Sequence, residues 1–299
     1  MKHRHLWAAL GRAVLAGAMA FGILTAFCAL YYNIPAHRAN PDGATDYKWE
    51  AHALYCRGTE GFARGRTNND GFSNPFDYDG DLPIDILVMG SSEMEAFRVN
   101  MDESTAARLD ARLPEDTVYN IGVSDHGFLT CAGNLGAALR TYRPRKYVII
   151  ETGSLSFPDA ELEKALAGTL EERPSRAGGI AGLLQKNPFL RLTYRQVRGF
   201  LRAEEPGAAP AAAGGANDER LLDGLLEKLS RTARERGVAL VIVHPPGTEL
   251  RPDGTLGLSR DEAALAQFRR LCVAHGIRFL DMGPRFLAEY ARNRVLPRG

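Results

Sequence analysis

From Asp81 onward the sequence alternates between short apolar runs and longer segments with helical periodicity. Five runs have the length of a strand: Ile84–Met89, Thr117–Ile121, Tyr147–Ile150, Ala239–Val243 and Arg278–Leu280. The segments between them place leucines three and four residues apart, which is the spacing of one helical face. Strands separated by helices form right-handed βαβ units. We therefore predict an α/β fold with a five-stranded parallel sheet covered by helices on both faces.

Two of the helical segments carry a further signal. Ser259-Arg260-Asp261-Glu262 has the Ser-x-x-Glu spacing of a capping box and predicts the start of a helix. Asn187–Leu201 has the pattern of an amphipathic helix with a basic face. We interpret this helix as an excursion packed on the sheet, with a partner-binding element as the alternative.

An apolar run precedes this domain. It extends from Ala13 to Tyr32, contains no charged residue and follows basic residues at positions 2, 4 and 12. A helix of about 20 apolar residues spans the bilayer core, and basic residues before it favour a cytoplasmic N-terminus. We predict an uncleaved signal-anchor and a single-pass protein of the cell membrane whose domain is extracytoplasmic. A cleaved signal peptide is the alternative, because small residues occur near positions 26–29.

The chain therefore divides into three regions. Residues 1–33 form a cytoplasmic stub and the transmembrane helix. Residues 34–80 are rich in Gly, Asn, Asp and aromatic residues with little periodicity, which predicts an irregular lead-in packed on the domain. Residues 81–299 form the α/β domain, and within it the low-complexity stretch 203–217 predicts a mobile surface loop.

Composition narrows the classes of function. A formal net charge of +1 gives no indication of a nucleic-acid partner. The sequence has neither zinc-ligand spacing nor a glycine-rich phosphate loop, so we predict no metal and no cofactor. Outside the apolar run, Cys56, Cys131 and Cys272 permit at most one disulfide, whose existence stays open. Helical patterns surround Cys131 and Cys272, and a buried free thiol is the expectation for both.

Candidate chemistry begins where the first strand ends. The run Ile84–Met89 is followed by Gly90-Ser91-Ser92-Glu93, which places a hydroxyl at the carboxyl end of a buried strand. Open α/β sheets bind their ligands at that edge, and a serine on a sharp strand-to-helix turn is one form of nucleophile. The alternative is a polar turn that caps the next helix.

Two further loops emerge at the same edge of the predicted sheet. The second strand leads into Gly122-Val123-Ser124-Asp125-His126-Gly127, and the third into Glu151-Thr152-Gly153-Ser154-Leu155-Ser156. Glycines let backbone amides approach a ligand closely. Three converging loops can form the oxyanion site that acyl transfer requires.

Two sequence blocks resemble those of a known protein family. Gly90-Ser91-Ser92-Glu93 resembles the Gly-Asp-Ser block of SGNH (GDSL-type) hydrolases, in the membrane-anchored branch that modifies the cell envelope and exopolysaccharides, and the corresponding block of the DltD family. Asn68-Asn69-Asp70-Gly71-Phe72 resembles the Asn-x-x-Gly-Phe lead-in of many anchored members. The resemblance spans roughly Thr45 to Gly299 and rests on short blocks. It implies the SGNH hydrolase fold, a flavodoxin-like three-layer sandwich.

The resemblance also implies roles for single residues. Ser92 matches the nucleophile and donates its N–H to the oxyanion, while Ser91 stands where the family has aspartate. Asp125 falls at the position of the oxyanion glycine, where its charge is unfavourable unless the side chain points away or is paired. The third block lacks the family's asparagine, and Ser154 or Ser156 is the substitute donor. Ser91, Gly122 and His126 complete the predicted oxyanion and substrate-binding set.

The acid–base pair departs from the family pattern. The family places Asp-x-x-His after the last strand, but no histidine follows Asp281 in this chain. The resemblance thus implies a further C-terminal segment bearing histidine, and we expect the chain to be incomplete there. His244, at the end of the fourth strand, is the alternative base, or else a loop-shaping residue bonded to backbone. Asp281 is either the catalytic aspartate or simply the residue that ends its strand.

Two functional hypotheses follow. The first is an extracytoplasmic serine esterase or O-acyltransferase that acts on acylated envelope or exopolysaccharide glycans, or other esters, through an acyl-enzyme on Ser92. The second is a non-catalytic SGNH-like scaffold or binding protein that assists a membrane-bound O-acyltransferase. A nucleotide-binding domain is less favoured, because the turn after the first strand lacks the Gly-x-Gly-x-x-Gly pattern.

Overall fold

A computed structural model describes residues 2–58, 62–168, 187–203 and 217–295. The chain starts with helix α1 (Lys2–Tyr31). Its segment Trp7–Tyr31 has a mean hydropathy of 2.2 and is long and apolar enough to cross a membrane. Only 6% of this apolar window is buried, so it is not the core helix of a soluble domain. Length and composition fit either a membrane anchor or a signal sequence.

The lead-in contains two small antiparallel sheets where we expected irregular chain. Strand β1 (His37–Ala39) pairs with β2 (Tyr47–Trp49), and β3 (Leu54–Arg57) pairs with β4 (Ala63–Arg66). Strands of three or four residues are too short to show a clear alternation in the sequence. Trp49, Tyr55 and Phe72 nevertheless join the main hydrophobic core, so the lead-in is packed on the domain.

Buried polar contacts tie this lead-in down. Lys48 Nζ lies 2.7 Å from Asp42 and 2.7 Å from Asp70, and the other oxygen of Asp70 accepts a 2.7 Å hydrogen bond from the Tyr142 hydroxyl. In the motif 68–72, Asn68 donates to the Tyr119 hydroxyl at 2.9 Å.

A glycine is also required in that motif. Gly71 has φ +92°, and a Cβ there would lie 2.2 Å from the carbonyl oxygen of Trp49. Residues 68–72, which resemble the family lead-in, thus help to hold the lead-in on the α/β domain.

The α/β domain follows the predicted order of elements. Its strands and helices are, in chain order, β5 (Ile86–Met89), α2 (Ser92–Glu95), a 3-10 turn (Met101–Glu103), α3 (Thr105–Asp110), β6 (Val118–Asn120), α4 (Phe128–Tyr142), β7 (Tyr147–Glu151), α5 (Asp159–Ala167), α6 (Pro188–Ala203), α7 (Glu219–Glu235), β8 (Ala239–His244), β9 (Gly247–Leu250), β10 (Leu256–Ser259), α8 (Glu262–Ala274), β11 (Arg278–Asp281) and α9 (Gly283–Asn293). The hairpin β9–β10 had no counterpart among the predicted elements.

Five strands form one parallel sheet in the order β11–β8–β7–β5–β6. Numbered along the chain, this is the flavodoxin-like order 2-1-3-4-5. The larger core lies on one face, where Leu87 and Ile150 pack with helices α4, α5, α7 and α8. A smaller core on the other face joins Ile86 and Val88 to α2 and α3. The predicted three-layer α/β fold with a five-stranded parallel sheet is confirmed.

Several local predictions need correction. The apolar run at 84–89 becomes a strand only from Ile86. Helix α8 is capped by Asp261, whose Oδ1 accepts from the N–H groups of Ala263 and Ala264, while Ser259 ends β10. Helix α6 packs against α1, whereas we expected it to pack on the sheet. The predicted loop at 203–217 lies almost wholly outside the described residues.

The cysteines are free, buried thiols, which confirms the expectation for Cys131 and Cys272 and removes the possible disulfide involving Cys56. Burial raises the pKa of Cys272 to about 12, and it also raises the pKa of Cys131. Thiols that stay protonated are poor nucleophiles. These side chains therefore serve packing.

A buried carboxylate fastens the start of strand β5. Asp85, directly before β5, accepts hydrogen bonds from the Arg145 guanidinium at 3.0 Å and from the Thr117 N–H at 3.0 Å. Burial by itself raises the pKa of Asp85, but these two donors outweigh it, so the pKa lies below its ordinary value of 3.8. A lowered folded-state pKa stabilises the fold above the ordinary value, and this contribution is lost as the pH falls through the folded-state pKa.

Replacing Asp85 with asparagine should lower the free energy of unfolding by about 1–3 kcal/mol near pH 7, because the Arg145 ion pair is lost. The deficit should shrink near pH 3, where the wild-type carboxylate is also becoming protonated. Urea denaturation followed by tryptophan fluorescence measures both values. Glu115→Gln, an exposed carboxylate on the nearby loop, is the matched control. A deficit that does not change with pH would contradict the assignment.

Candidate functional site

The carboxyl ends of the parallel strands gather the candidate residues along one edge of the sheet. Gly90 follows β5, with the Gly122 loop after β6 on one side and the Glu151 loop after β7 on the other. His244 ends β8, the next strand beyond β7. Sheet topology thus places every predicted loop where we expected it.

Ser92 is the first residue of α2, a helix of only four residues. Its side chain is exposed, and its hydroxyl makes no hydrogen bond to any other described residue. Ser91 occupies the N-cap position, yet its side chain does not cap the helix. The two serines are therefore distinct: Ser92 offers a hydroxyl to solvent, and Ser91 is engaged elsewhere.

The partner of Ser91 is Glu151, the last residue of β7. One carboxylate oxygen, Oε2, accepts both the Ser91 N–H and the Ser91 hydroxyl, each at 2.8 Å. Glu151 is buried, and a Cβ at position 90 would lie 2.7 Å from that same oxygen. The glycine of the Gly90-Ser91-Ser92 motif therefore makes room for a carboxylate.

Glu151 had no assigned role in the sequence prediction. The available signal was an acidic residue that ends an otherwise apolar strand at the ligand-binding edge. Its contact with Ser91 depends on the pairing of β5 with β7, which joins residues 60 positions apart. Local patterns carry no information on such a contact.

The second loop is locked against the serine loop by Asn120. Its side chain accepts the Gly122 N–H at 2.8 Å and donates to the Met94 carbonyl at 2.6 Å. A Cβ on Gly122 would lie 2.8 Å from the backbone nitrogen of Glu95. The predicted binding residue Gly122 is thus also required for close packing of the two loops.

Glu95 holds the far side of this loop. Its carboxylate accepts the indole N–H of Trp49 at 2.7 Å and the Ser124 N–H at 3.0 Å. Burial raises the pKa of Glu95. The lead-in, the serine helix and the second loop therefore meet at one buried carboxyl group.

Asp125 and His126 point in different directions. Asp125 is exposed and has φ +68°, a left-handed conformation that favours glycine. This matches the family glycine implied at that position. His126 is buried, with Nε2 3.5 Å from Asp46 and its ring packed edge-to-face on Tyr47. The histidine expected at the substrate surface is therefore held against the lead-in.

His244 lies beside the third loop. Its Nδ1 is 2.7 Å from the Thr152 carbonyl oxygen. Because a carbonyl oxygen only accepts, Nδ1 carries the hydrogen in this contact, which makes Nε2 of a neutral ring the proton-accepting nitrogen. This is the orientation of a triad histidine, whose Nδ1–H is also bonded.

A pocket of about 180 Å³ opens next to His244. It is lined by the third loop, residues 153–156, and by the segment 259–261. Ser154, the predicted substitute donor, directs its hydroxyl to the Ser156 carbonyl at 2.8 Å. The pocket lies at the same edge of the sheet as Ser92, but Ser92 is not one of its lining residues.

Asp281 is occupied by basic partners. Its Oδ2 lies 2.7 Å from Arg260 and 3.3 Å from Arg269, and its Oδ1 accepts the Gly283 N–H at 2.9 Å. The parallel register pairs its Cα with that of His244, but no hydrogen bond between described residues joins these two side chains. Nor does one join Ser92 to His244 within the described chain. The contacts of Asp281 match the interpretation that it ends its strand.

The two serines provide a matched pair for testing the geometry. Ser91→Ala should lower the free energy of unfolding by about 1.5–3 kcal/mol, because a buried carboxylate loses a hydrogen-bond donor. Ser92→Ala should change it by less than about 0.5 kcal/mol, since the side chain is exposed. Urea denaturation of both variants makes the comparison. Equal losses in the two variants would contradict the contact between Ser91 and Glu151.

No protein-family model and no curated protein sequence matches this chain. Solved structures are similar at low identity. AlinE4, an SGNH-hydrolase family esterase, is 16% identical over 73% of this chain and 85% of its own length, with a TM-score of 0.38. TesA is 14% identical over 65% of this chain and 76% of its own length, with a TM-score of 0.36. Similarities of this size carry no argument about function, which must come from the site itself.

Proposed function

We propose that this protein is an extracytoplasmic serine esterase or O-acyltransferase of the SGNH type, which acts on acylated cell-envelope or exopolysaccharide glycans through an acyl-enzyme on Ser92. The observation that carries the proposal is the exposed Ser92 hydroxyl at the carboxyl end of β5, between two rigidly held loops. A nucleophile must be accessible to the substrate and held in a fixed position.

The proposed reaction has two acyl transfers. The Ser92 oxygen attacks the acyl carbonyl, its proton passes to a base, and the alcohol of the ester leaves with a proton. Water or a sugar hydroxyl then attacks the acyl-enzyme and restores Ser92. The Ser92 N–H and the second loop are the proposed donors to the oxyanion.

His244 is the proposed base. Strand β7 separates β5 from β8, so the two backbones are about 9–10 Å apart at this edge. At this separation, the proton from Ser92 has to pass to His244 through a bridging water or a substrate hydroxyl. Because Nδ1–H is bonded to Thr152, Nε2 is the ring nitrogen that accepts the proton in this proposal.

The proposed location at the membrane surface rests on helix α1. Used as an uncleaved anchor, the apolar segment Trp7–Tyr31 keeps the domain at the membrane surface. Lipid-linked and nascent glycans are found there, and a membrane-bound O-acyltransferase could supply the acyl group. These are the reasons for proposing a glycan instead of a soluble ester as the substrate.

A second candidate function is a non-catalytic scaffold or binding protein that assists such an acyltransferase. The observation in its favour is the Glu151 carboxylate, which lies 2.8 Å from the Ser91 oxygen beside the proposed oxyanion position. A negative charge there opposes a developing oxyanion. The ion pairing of Asp281 with arginine also favours the non-catalytic scaffold.

Covalent labelling distinguishes the two candidates. Full-length protein incubated with an acyl ester probe should gain one acyl mass on the peptide containing Ser92. Ser92→Ala should abolish the labelling, whereas Glu115→Gln, an exposed residue outside the site, should retain it. An unlabelled wild-type protein, together with equal glycan acylation by wild type and Ser92→Ala, would contradict catalysis and favour the scaffold.

The base assignment has its own test. His244→Gln should lower kcat/KM for an ester substrate by about 10²–10⁴-fold, the usual contribution of a general base. His275→Gln is the control, because that histidine lies at the C-terminus of α8 and pairs with Asp223. The comparison uses initial rates over a range of pH. Unchanged activity of His244→Gln would remove His244 from the mechanism.

A further inference from the structure

Helix α6 packs against the apolar segment of α1. Asn187, directly before α6, donates from Nδ2 to the Thr25 hydroxyl at 3.2 Å. The ring of Phe189 meets that of Phe21 edge-to-face, with centroids 5.8 Å apart. Both partners on α1 belong to the apolar segment Trp7–Tyr31.

The position of this contact along α1 has a physical consequence. Thr25 lies six residues before Tyr31, or about 9 Å along a helix that rises 1.5 Å per residue. From this level to the end of α1, the side chains of Leu24, Phe27 and Leu30 are exposed. A bilayer that covers these three side chains must also reach the beginning of α6.

The depth agrees with that of an interfacial helix. Amphipathic helices that lie in the plane of a membrane are buried about 5–10 Å into the boundary between headgroups and acyl chains. Val197 on α6 is an apolar side chain that is 53% exposed in the protein alone. A membrane beside α1 would cover it.

The sequence of α6 fits an anionic surface. It carries arginine at positions 191, 195, 198 and 202 and no acidic residue, in a chain whose net charge is only +1. Arg191 is buried and donates to Asn33 at 3.2 Å, which fastens α6 to the end of α1. Basic residues near a membrane surface are attracted to anionic lipid headgroups.

We propose that α6 is an interfacial helix that lies on anionic lipid beside the emerging end of α1 and thereby sets the orientation of the α/β domain on the membrane. The proposal rests on the anchor role of α1 within the proposed function. The partner is a lipid surface, because an acidic glycan or protein would not account for the contact of α6 with the apolar segment of α1.

Depth-dependent fluorescence quenching tests this placement. Full-length protein is reconstituted into nanodiscs of phosphatidylcholine, or of equimolar phosphatidylcholine and phosphatidylglycerol, that contain spin-labelled lipid. One fluorophore is attached to Val197→Cys on α6, Met19→Cys on α1 or Val273→Cys on α8. The four native cysteines are buried, so labelling is directed to the added thiol. Met19 reports the anchor, and Val273, exposed on α8, is the matched control.

The Val197 label should lose more than about half of its fluorescence to headgroup-level quenchers, as expected for an interfacial position. Met19 should be quenched by deep spin labels, and Val273 by neither. Quenching at Val197 should be stronger with phosphatidylglycerol, and Arg195→Gln/Arg198→Gln/Arg202→Gln should remove this difference.

Quenching at Met19 without quenching at Val197 would overturn the proposal while leaving the anchor intact. Equal quenching of Val197 in both lipid mixtures would overturn the anionic preference. An unquenched Met19 would overturn the anchor and, with it, this placement of α6. None of these outcomes changes the labelling of Ser92, so failure here and failure of the catalytic proposal can be told apart.

Discussion

A parallel sheet brings the carboxyl ends of all its strands to one edge, and every candidate functional residue of this protein depends on that constraint. Strand β5 carries the serine turn at this edge and is paired with β6 on one side and β7 on the other. Asp85 fastens the amino end of β5 through Arg145, and Glu151 fastens the serine turn at its carboxyl end. The position of Ser92 is therefore set by long-range contacts at both ends of one short strand.

Glu151 also explains the residue before the candidate nucleophile. The resemblance to SGNH hydrolases leads one to expect aspartate at position 91, where this chain has serine. With a carboxylate 2.8 Å away, an aspartate would face a like charge, whereas serine donates both its N–H and its hydroxyl. The exchange of aspartate for serine and the acidic end of β7 are thus two parts of one arrangement. The negative charge of this carboxylate also disfavours an oxyanion nearby. Glu151 therefore bears directly on whether the protein is an enzyme or a scaffold.

The sequence was sufficient for the parts that depend on local pattern. Apolar runs of strand length and leucine spacing predicted the sheet and its covering helices, because burial on both faces demands continuous apolar residues. The strands of the lead-in could not be predicted, because strands such as Tyr47–Trp49 are too short for a periodic signal. The burial of His126 against Asp46 and the contact of Glu151 with Ser91 join distant segments, which no local pattern encodes. The docking of α6 on α1 was missed for the same reason.

The central claim is that Ser92 performs covalent catalysis. Its most direct test is the pre-steady-state hydrolysis of a chromogenic acyl ester by the full-length protein, since an acyl-enzyme that forms faster than it breaks down releases a burst of alcohol. We expect a burst of about one equivalent per chain for the wild type, absent in Ser92→Ala although that variant keeps the stability of the wild type. A linear time course that is the same for both proteins would contradict the claim.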